Sequence, residues 1–266
     1  MIVNARMYSA TPAAREAWKA MLGWVVDQAG LDWPLVEHDA PAPLAALWER
    51  DDLGCAMMCG LPYSQRRPRP ILVAAPVPSP DRYGGKPIYF TDIAVRADAP
   101  FERLEDTFGG VVGYTLRDSM SGYIALRAHL LRYREASGSP LYAQAVGDFV
   151  NARSVIEALA AGTIDVGPLD SYYHDLLKRG APEFAAKVRT IASTEPAPIP
   201  PLVATAAIAG ADLVRLRDAL DAAGATPELA EQRAALVLDR FTAPAESDYD
   251  ALASVLATAA RYPDAW

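Results

Sequence analysis

The sequence predicts an α/β fold with a largely parallel sheet, divided between two lobes. Short apolar runs of β-type composition alternate with segments whose apolar residues recur at helical spacing, and this alternation restarts near residue 101. A chain of 266 residues with 52% hydrophobic content can form one large domain or two small ones with packed cores. We therefore expect lobe 1 at residues 1–92 and 199–266, and lobe 2 at residues 93–198, with two crossing strands as a hinge.

The elements follow in chain order. The first helix begins at Thr11-Pro12, because threonine is a favoured N-cap and proline fits the first helical position, and it stops near Gly30. Strands are expected at 2–8, 34–38, 53–60, 71–79, 87–96, 111–116, 141–146, 164–169, 187–194 and 202–208. Further helices are expected at 43–50, 101–108, from the end of the strand at 111–116 to about 137, at 151–161, at 171–179 and over most of 211–260.

The charge balance limits the classes of partner. Lys and Arg number 25 and Asp and Glu number 33, which gives a net charge of −8. Such a surface disfavours nucleic acid or an anionic membrane as the main partner, but it leaves room for a small anion in a local pocket. No apolar stretch approaches the ~20 residues of a membrane span, and no signal peptide is visible. The expected location is the cytoplasm if Met1 is the native start, and the periplasm if a leader has been removed.

The two cysteines are expected to be buried small residues. Cys55 and Cys59 lie in one apolar run, and on a strand their Cα atoms would be about 13 Å apart, beyond the ~7 Å limit for a disulfide. Neither has histidine or acidic partners at ligand spacing, so we expect no metal site.

The sharpest local signal is the segment YTLRDSMSGYIALRAHLL at 114–131, where a strand turns into a long helix. The first N–H groups of a helix lack internal partners and carry partial positive charge. Ser119, Ser121 and Gly122 leave room for an oxyanion there, and both hydroxyls and Arg117 can add to its binding. An ordinary capped helix remains the alternative, since Ser and Asp are common N-caps.

Residues 119–127 resemble the S-x-S-G-Y-x-x-L-R stretch of the phosphonate/phosphite-type solute-binding proteins of ABC transporters. Residues 88–96 are similar to the crossing strand of that family, and residues 161–171 to its G-x-x-D-V-A-A-I-D-S segment. Residues 199–203 resemble its return hinge. The order and spacing fit over roughly residues 2–210.

The resemblance implies a type 2 periplasmic-binding-protein fold, a two-lobed clamp that holds a small oxyanion such as a phosphonate, phosphite or phosphate. Carried over residue by residue, it implies that Thr91, Ser119, Ser121 and Gly122 hold the anion, and that Asp170 meets an amine or hydroxyl of the ligand. The complete set of expected ligand-binding residues is Tyr8, Gly60, Tyr63, Thr91, Ser119, Ser121, Gly122, Tyr123, Asn151 and Asp170.

The chain departs from the family pattern before the helix at 151–161. The family often has a G-x-H element there, whereas this chain reads Val-Asn-Ala-Arg, so Asn151 or Arg153 would have to replace the histidine donor. Tyr8 and Tyr63 would bring aromatic surface from the first lobe, which suits a ligand with an apolar or ring portion; simple core packing is the alternative. His174, like the other two histidines, is expected to be a surface or satisfied residue.

The resemblance predicts a monomeric solute-binding protein that passes a small anionic solute to an ABC transporter permease, with no cofactor and no membrane insertion. The sequence has no G-x-S-x-G elbow, P-loop or G-x-G-x-x-G motif, which agrees with a binding function. Two alternatives stay open, since one fold can host several functions. They are a cytoplasmic enzyme on the same clamp, with Asp170 as general base, and a cytoplasmic ligand sensor.

Overall fold

The computed structural model describes residues 1–39, 42–261 and 266. Among them the strands are β1 Ile2–Asn4, β2 Leu53–Met57, β3 Ile71–Pro78, β4 Ile88–Tyr89, β5 Thr91–Arg96, β6 Val111–Thr115, β7 Gln144–Phe149, β8 Gly167–Asp170, β9 Val188–Ser193, β10 Ala197–Pro198, β11 Leu202–Ala204 and β12 Leu238–Thr242. The α-helices are α1 Pro12–Gln28, α2 Leu44–Trp48, α3 Gly60–Gln65, α4 Ala125–Ser137, α5 Ala152–Ala160, α6 Ser171–Gly180, α7 Pro182–Ala185, α8 Gly210–Ala223, α9 Ala230–Ala235 and α10 Ala251–Ala259. None of the described helices combines the length and the apolar character that a membrane crossing requires.

The chain divides into two compact units. The first comprises Met1–Ile88 and Pro198–Tyr249, and the second comprises Tyr89–Ala197 and Asp250–Trp266. The sequence expectation assigned the whole C-terminal segment to the first lobe, whereas the structure groups α10 with the second unit. There α10 packs against α4, and this contact buries the apolar face of α10. The unit to which α10 belongs is therefore decided by its packing partner and not by its own sequence.

The first unit is built on a five-stranded sheet with the order β1-β2-β11-β3-β12. β1 and β2 run parallel, but β11 is antiparallel to both β2 and β3, and β12 is antiparallel to β3. The prediction of a largely parallel sheet is therefore wrong for this unit. The sheet is mixed, because the returning chain adds β11 and β12 in the opposite direction.

Helix α1 forms as the sequence predicts. Thr11 adopts an extended backbone conformation, its Oγ1 accepts a hydrogen bond from the Ala14 N–H at 3.1 Å, and a proline follows it. Trp18, Met21 and Leu22 recur at helical spacing and are almost completely buried.

The second unit contains a three-stranded sheet and a two-stranded sheet. In the first, β5 lies between β8 and β9 and is antiparallel to both. In the second, β6 and β7 run parallel, and Val112 of β6 forms a parallel bridge with Val166, directly before β8. Strands β6, β7, β8 and β9 therefore share a direction, and β5 runs opposite to them. The prediction of a largely parallel arrangement holds for these four strands, and β5 departs from it.

Two further element predictions are wrong. The strand expected at 34–38 is reduced to a single bridge between Leu35 and Val3. The segment at 238–242, which was expected to be helical, is β12. Its alanine-rich surroundings favour a helix locally, but in the folded chain the segment pairs with β3, and Leu238 and Phe241 are buried.

Candidate functional site

Three helices of the second unit begin at the same edge of its sheet. A π-helical turn, Met120–Ile124, leads from the end of β6 into α4, while α5 begins three residues after β7, and α6 directly follows β8. Because β6, β7 and β8 share a direction, their carboxyl ends lie at one edge, and so do the helix N-termini that follow them. This edge, called here the carboxyl edge, carries most of the second-unit residues that the sequence singles out.

Ser119 caps the turn before α4. Its backbone is extended, and its Oγ accepts a hydrogen bond from the Gly122 N–H at 3.1 Å, while its carbonyl oxygen accepts from Tyr123 and Ile124. Within the described residues, the N–H groups of Met120 and Ser121 donate no hydrogen bond. The first turn thus keeps two backbone donors at its positive end, which is the arrangement that binds oxyanions.

Gly122 allows this turn to lie against the end of β6. A Cβ atom at this position would sit 1.7 Å from Oγ1 of Thr115 and 2.8 Å from Cβ of Thr115, closer than any real contact. A larger residue would push the turn away from the strand and move the two backbone donors.

Thr91 and Ser121 are connected directly. Thr91 is almost fully buried, and its Oγ1 donates a hydrogen bond of 2.8 Å to the carbonyl oxygen of Ser121. The Ser121 hydroxyl donates in turn to Oδ2 of Asp170 at 3.4 Å. The hydroxyl proton of Thr91 is therefore used in a hydrogen bond that stabilises the turn. Ser121 is only half-buried and lies at the carboxyl edge itself.

Asp170 is the N-cap of α6. Its Oδ1 accepts a hydrogen bond from the Tyr173 N–H at 3.0 Å, and its backbone pairs with Thr91 across the β5–β8 ladder. Burial raises the pKa of the Tyr173 phenol; the Arg153 guanidinium partly offsets this shift and the Asp170 carboxylate adds to it. Tyr173 therefore stays a neutral hydroxyl at physiological pH and is within electrostatic reach of both charges.

Tyr123 is buried beneath the turn. Its ring makes an edge contact with Tyr114 at 5.2 Å and with Trp266 at 5.3 Å between centroids. Arg117 donates to the Tyr114 hydroxyl at 3.2 Å and lies 5.8 Å from the Tyr123 ring centroid. Arg117, which was predicted to contribute to anion binding, thus packs its guanidinium against the rings of Tyr114 and Tyr123.

The structure separates the two candidates for the missing histidine. Asn151 is exposed and serves as the N-cap of α5, where its Oδ1 accepts a hydrogen bond from the Ser154 N–H at 3.1 Å. Arg153, two residues later, is half-buried and stacks on Phe184, with Cζ 4.1 Å from the ring centroid. Asn151 therefore has a local structural role that accounts for it, and Arg153 does not.

The three expected residues of the first unit lie near the ends of β1 and β2. Tyr8 is buried with a backbone φ of 61°, a left-handed conformation that is uncommon for a bulky residue and is often found at functional sites. Gly60 begins the short helix α3. Tyr63 is fully buried and packs edge-on against Tyr249 at 4.9 Å, which is the core-packing alternative. Their contact with a ligand stays a prediction.

Sequence reasoning missed a buried polar group behind the carboxyl edge. Nδ1 of His174 on α6 lies 3.2 Å from Oδ2 of Asp92 on β5, and both side chains are essentially inaccessible. The Ser193 hydroxyl donates to Oδ1 of the same carboxylate at 2.9 Å. His174 was expected to be a surface or satisfied residue; it is not at the surface, and its Nδ1 is satisfied by Asp92, which ties α6 to β5. The signal available in the sequence was the acidic residue Asp92 directly before the apolar run Ile93–Val95 of a predicted strand.

Within the described part of the chain, no group of three or more His, Cys, Asp or Glu residues has an arrangement that could hold a metal ion. The chemistry of the carboxyl edge is therefore that of backbone N–H donors, hydroxyls, a carboxylate and a guanidinium. Such groups can bind and orient an anion.

Several solved structures share the fold of this chain. A binding protein component of an ABC phosphonate transporter from Pseudomonas aeruginosa is 17% identical, with a TM-score of 0.77, and the match covers 96% of this chain and 84% of that one. PhnD1 from Prochlorococcus marinus, solved with methylphosphonate, is 12% identical with a TM-score of 0.75 and covers 96% of both chains. A Xanthomonas citri protein solved with ATP is 20% identical with a TM-score of 0.65 and covers 99% and 98%. The fold is that of the two-lobed periplasmic binding proteins.

The family follows from the sequence. The model of the family described as "ABC transporter, phosphonate, periplasmic substrate-binding protein" matches residues 9–249, and the chain belongs to this family. A search of curated protein sequences finds no match. The family consists of substrate-binding transport proteins and not of enzymes, so the predicted function in transport is confirmed and the alternatives are not favoured. Membership implies a small solute and a permease as partners, and in ABC importers the family is periplasmic.

Proposed function

We propose that this protein captures a small phosphonate or phosphate-like oxyanion at the carboxyl edge of the second unit and delivers it to an ABC transporter permease. The observation that carries the proposal is the turn before α4. In a chain of the phosphonate-binding family, this turn keeps two backbone N–H donors without a partner among the described residues. The Ser119 and Ser121 hydroxyls stand beside these donors and add to the recognition of the anion.

The residues around the turn divide into two roles. Ser119, Ser121 and Gly122 form the surface that receives the oxyanion, whereas Thr91 and Tyr123 hold this surface in place through a hydrogen bond and ring packing. This assignment refines the expectation that all five contact the ligand. A fixed set of donors costs little reorganisation when the anion arrives, which favours tight binding.

Asp170 gives the edge a second chemical character. A carboxylate next to an oxyanion site repels a bare anion but attracts an amine or hydroxyl carried by the same molecule. We therefore infer that solutes with a hydrogen-bond donor or a positive charge beyond the oxyanion bind more tightly than methylphosphonate, which is the ligand of the Prochlorococcus relative. Tyr8, Gly60 and Tyr63 of the first unit are our candidates for contacts to the rest of the solute.

The proposed setting is the periplasm, where the protein works as a monomer and meets the permease after it has bound its solute. The family membership of the chain supports this setting. The net charge of −8 agrees with a small solute rather than nucleic acid as the ligand.

The test is a calorimetric titration of the full chain with methylphosphonate, inorganic phosphate and 2-aminoethylphosphonate. We expect the wild-type protein to bind at least one of them. Ser121→Arg places a long side chain over the turn and should weaken binding about 100-fold or more, equivalent to about 2.7 kcal/mol. The matched control is Ser139→Arg, an exposed serine beyond the other end of α4, which should leave binding unchanged.

A thermal-shift measurement distinguishes lost binding from lost folding. At 100 times its Kd, a ligand that binds only the folded state adds about 2.7 kcal/mol to the free energy of unfolding, which raises Tm measurably. Unchanged affinity in a folded Ser121→Arg variant would show that the anion binds elsewhere. Failure of all three probes to bind the wild-type protein would contradict the proposed solute class.

A further inference from the structure

Arg153 on α5 has no partner that explains its position. Its Nη1 atom is buried without a hydrogen-bond partner, and within the described residues the guanidinium makes no hydrogen bond and no ion pair. Its one described contact is the face of Phe184, which fixes the plane of the guanidinium but leaves its N–H groups unused. A buried donor without an acceptor costs free energy, so a local structural role does not account for this residue.

The position of Arg153 in its helix also argues against a structural role. It is the second residue of α5, where the helix carries partial positive charge. A cation there is repelled by the helix dipole, whereas an anion is attracted. A negative group that shares the site would offset this repulsion.

The topology brings Arg153 to the carboxyl edge. α5 packs closely against β8: a Cβ atom added to Gly167 of β8 would lie 2.6 Å from Cγ1 of Val155 on α5. α5 also follows β7, so its first turn lies at the end where α4 and α6 begin. The Tyr173 phenol of α6 lies near both Arg153 and Asp170, since the charges of both side chains influence its pKa.

A guanidinium at the same edge as two backbone donors has a definite chemical preference. Arginine presents paired N–H donors in a planar fork that matches two oxygens of a phosphonate or phosphate. The turn before α4 contributes only partial positive charge, about half an elementary charge at a helix N-terminus. A full positive charge at the same edge adds most to the binding of a ligand that carries two negative charges.

We propose that Arg153 is the residue that selects dianionic ligands, such as a fully ionised phosphonate or phosphate, over monoanions of the same shape. The inference rests on the proposed function and extends it, since it names the charge state of the solute and the side chain that reads it. It also resolves the choice between Asn151 and Arg153: the asparagine caps α5, and the arginine supplies the charged donor.

The experiment compares two probes of similar shape and different charge. The full chain is titrated with methylphosphonate, at a pH at which it is a dianion, and with the monoanion methanesulfonate. We expect Arg153→Gln to weaken methylphosphonate binding about 10- to 100-fold, the range for loss of a hydrogen bond to a charged group. The affinity for methanesulfonate should change less than about threefold, because the turn before α4 is intact.

Two further variants separate charge from structure. Arg153→Lys keeps the charge but loses the fork, and should restore part of the preference for methylphosphonate. Arg179→Gln removes the same charge from the exposed far end of α6 and should leave both affinities unchanged. Circular dichroism spectra are compared with that of the wild-type protein to check that each variant is folded.

The outcomes distinguish this inference from the proposed function. Normal discrimination in Arg153→Gln, with binding abolished in Ser121→Arg, would overturn the role of Arg153 and leave the anion site intact. An equal loss of both probes in Arg153→Gln would show a structural role and overturn the inference as well. A wild-type protein that binds neither probe would contradict the proposed function for this solute class and the role of Arg153 with it.

Discussion

The two units bury different kinds of side chain. Among the described residues, the buried polar or charged side chains of the first unit are Asn4, Thr11 and Ser64. Those of the second unit are Thr91, Asp92, Thr107, Thr115, Arg127, Ser171, His174, Asp175 and Thr194. The first unit keeps its charges outside, for example in the ion pair between Lys19 and Glu37. The second unit places charge in its interior.

The two interiors differ in how they are stabilised. An apolar interior gains its stability from burial alone and needs few partners. A buried carboxylate or imidazole is stable only when it is paired, so its cost must be met by a specific geometry. In the second unit this geometry lies directly behind the carboxyl edge, where Asp92 and His174 join β5 to α6. We interpret the buried polar groups as the support that keeps the donors of the edge in position.

The largest expected effect is on the buried pair. His174→Ala leaves Asp92 in the interior with less compensation and should lower the free energy of unfolding by about 3–5 kcal/mol, as measured by urea denaturation. The control in the first unit is Arg15→Gln, which removes exposed ion pairs to Glu37 and Asp39. Its effect should be much smaller, because water and salt screen exposed charges. A similar loss in both variants would remove the contrast between the units.

A smaller effect compares two helix caps. Thr11→Ala and Ser119→Ala each remove a side-chain acceptor that caps a helix N-terminus, in the first and the second unit respectively. Each should lower the free energy of unfolding by about 1 kcal/mol. Only Ser119→Ala should also weaken methylphosphonate binding in calorimetry. Equal binding in the two variants would mean that the cap of α4 has no role beyond the helix.

The smallest expected effect is a difference in thiol reactivity between two cysteines of the first unit, which can be measured without changing its stability. Burial raises the pKa of the Cys55 thiol to about 12, so hardly any reactive thiolate forms near neutral pH. Cys59 is only half-buried. We expect iodoacetamide to label Cys59 in the native protein and Cys55 only after unfolding, as read by mass spectrometry. In Cys59→Ser, labelling of the native protein would show that the interior opens.

Several parts of the fold could be predicted from local sequence. Thr11-Pro12 marked the start of α1, and Trp18, Met21 and Leu22 marked its buried face, because capping and helical spacing act within one turn. The serine motif likewise located the turn before α4. The direction of the strands could not be predicted, since β11 and β12 meet β3 only through long-range pairing.

The candidate site shows the same division. Residue types in a motif indicate which chemistry is present, and the sequence singled out Ser119, Ser121 and Asp170 on that basis. It could not tell Asn151 from Arg153, because the difference lies in their partners: the Ser154 N–H for one and the Phe184 ring for the other. It also missed the bond between Asp92 and His174, which are 82 positions apart.

The sequence by itself determined the α/β class, the start of α1, the serine motif before α4 and the family that the motif resembles. These properties depend on residues that are close together in the chain. Tertiary structure decided the mixed sheets, the placement of α10 with the second unit, the burial of His174 and the isolation of Arg153. Each of these depends on which distant segment packs against a given residue, and the free energy of that packing is a property of the folded chain.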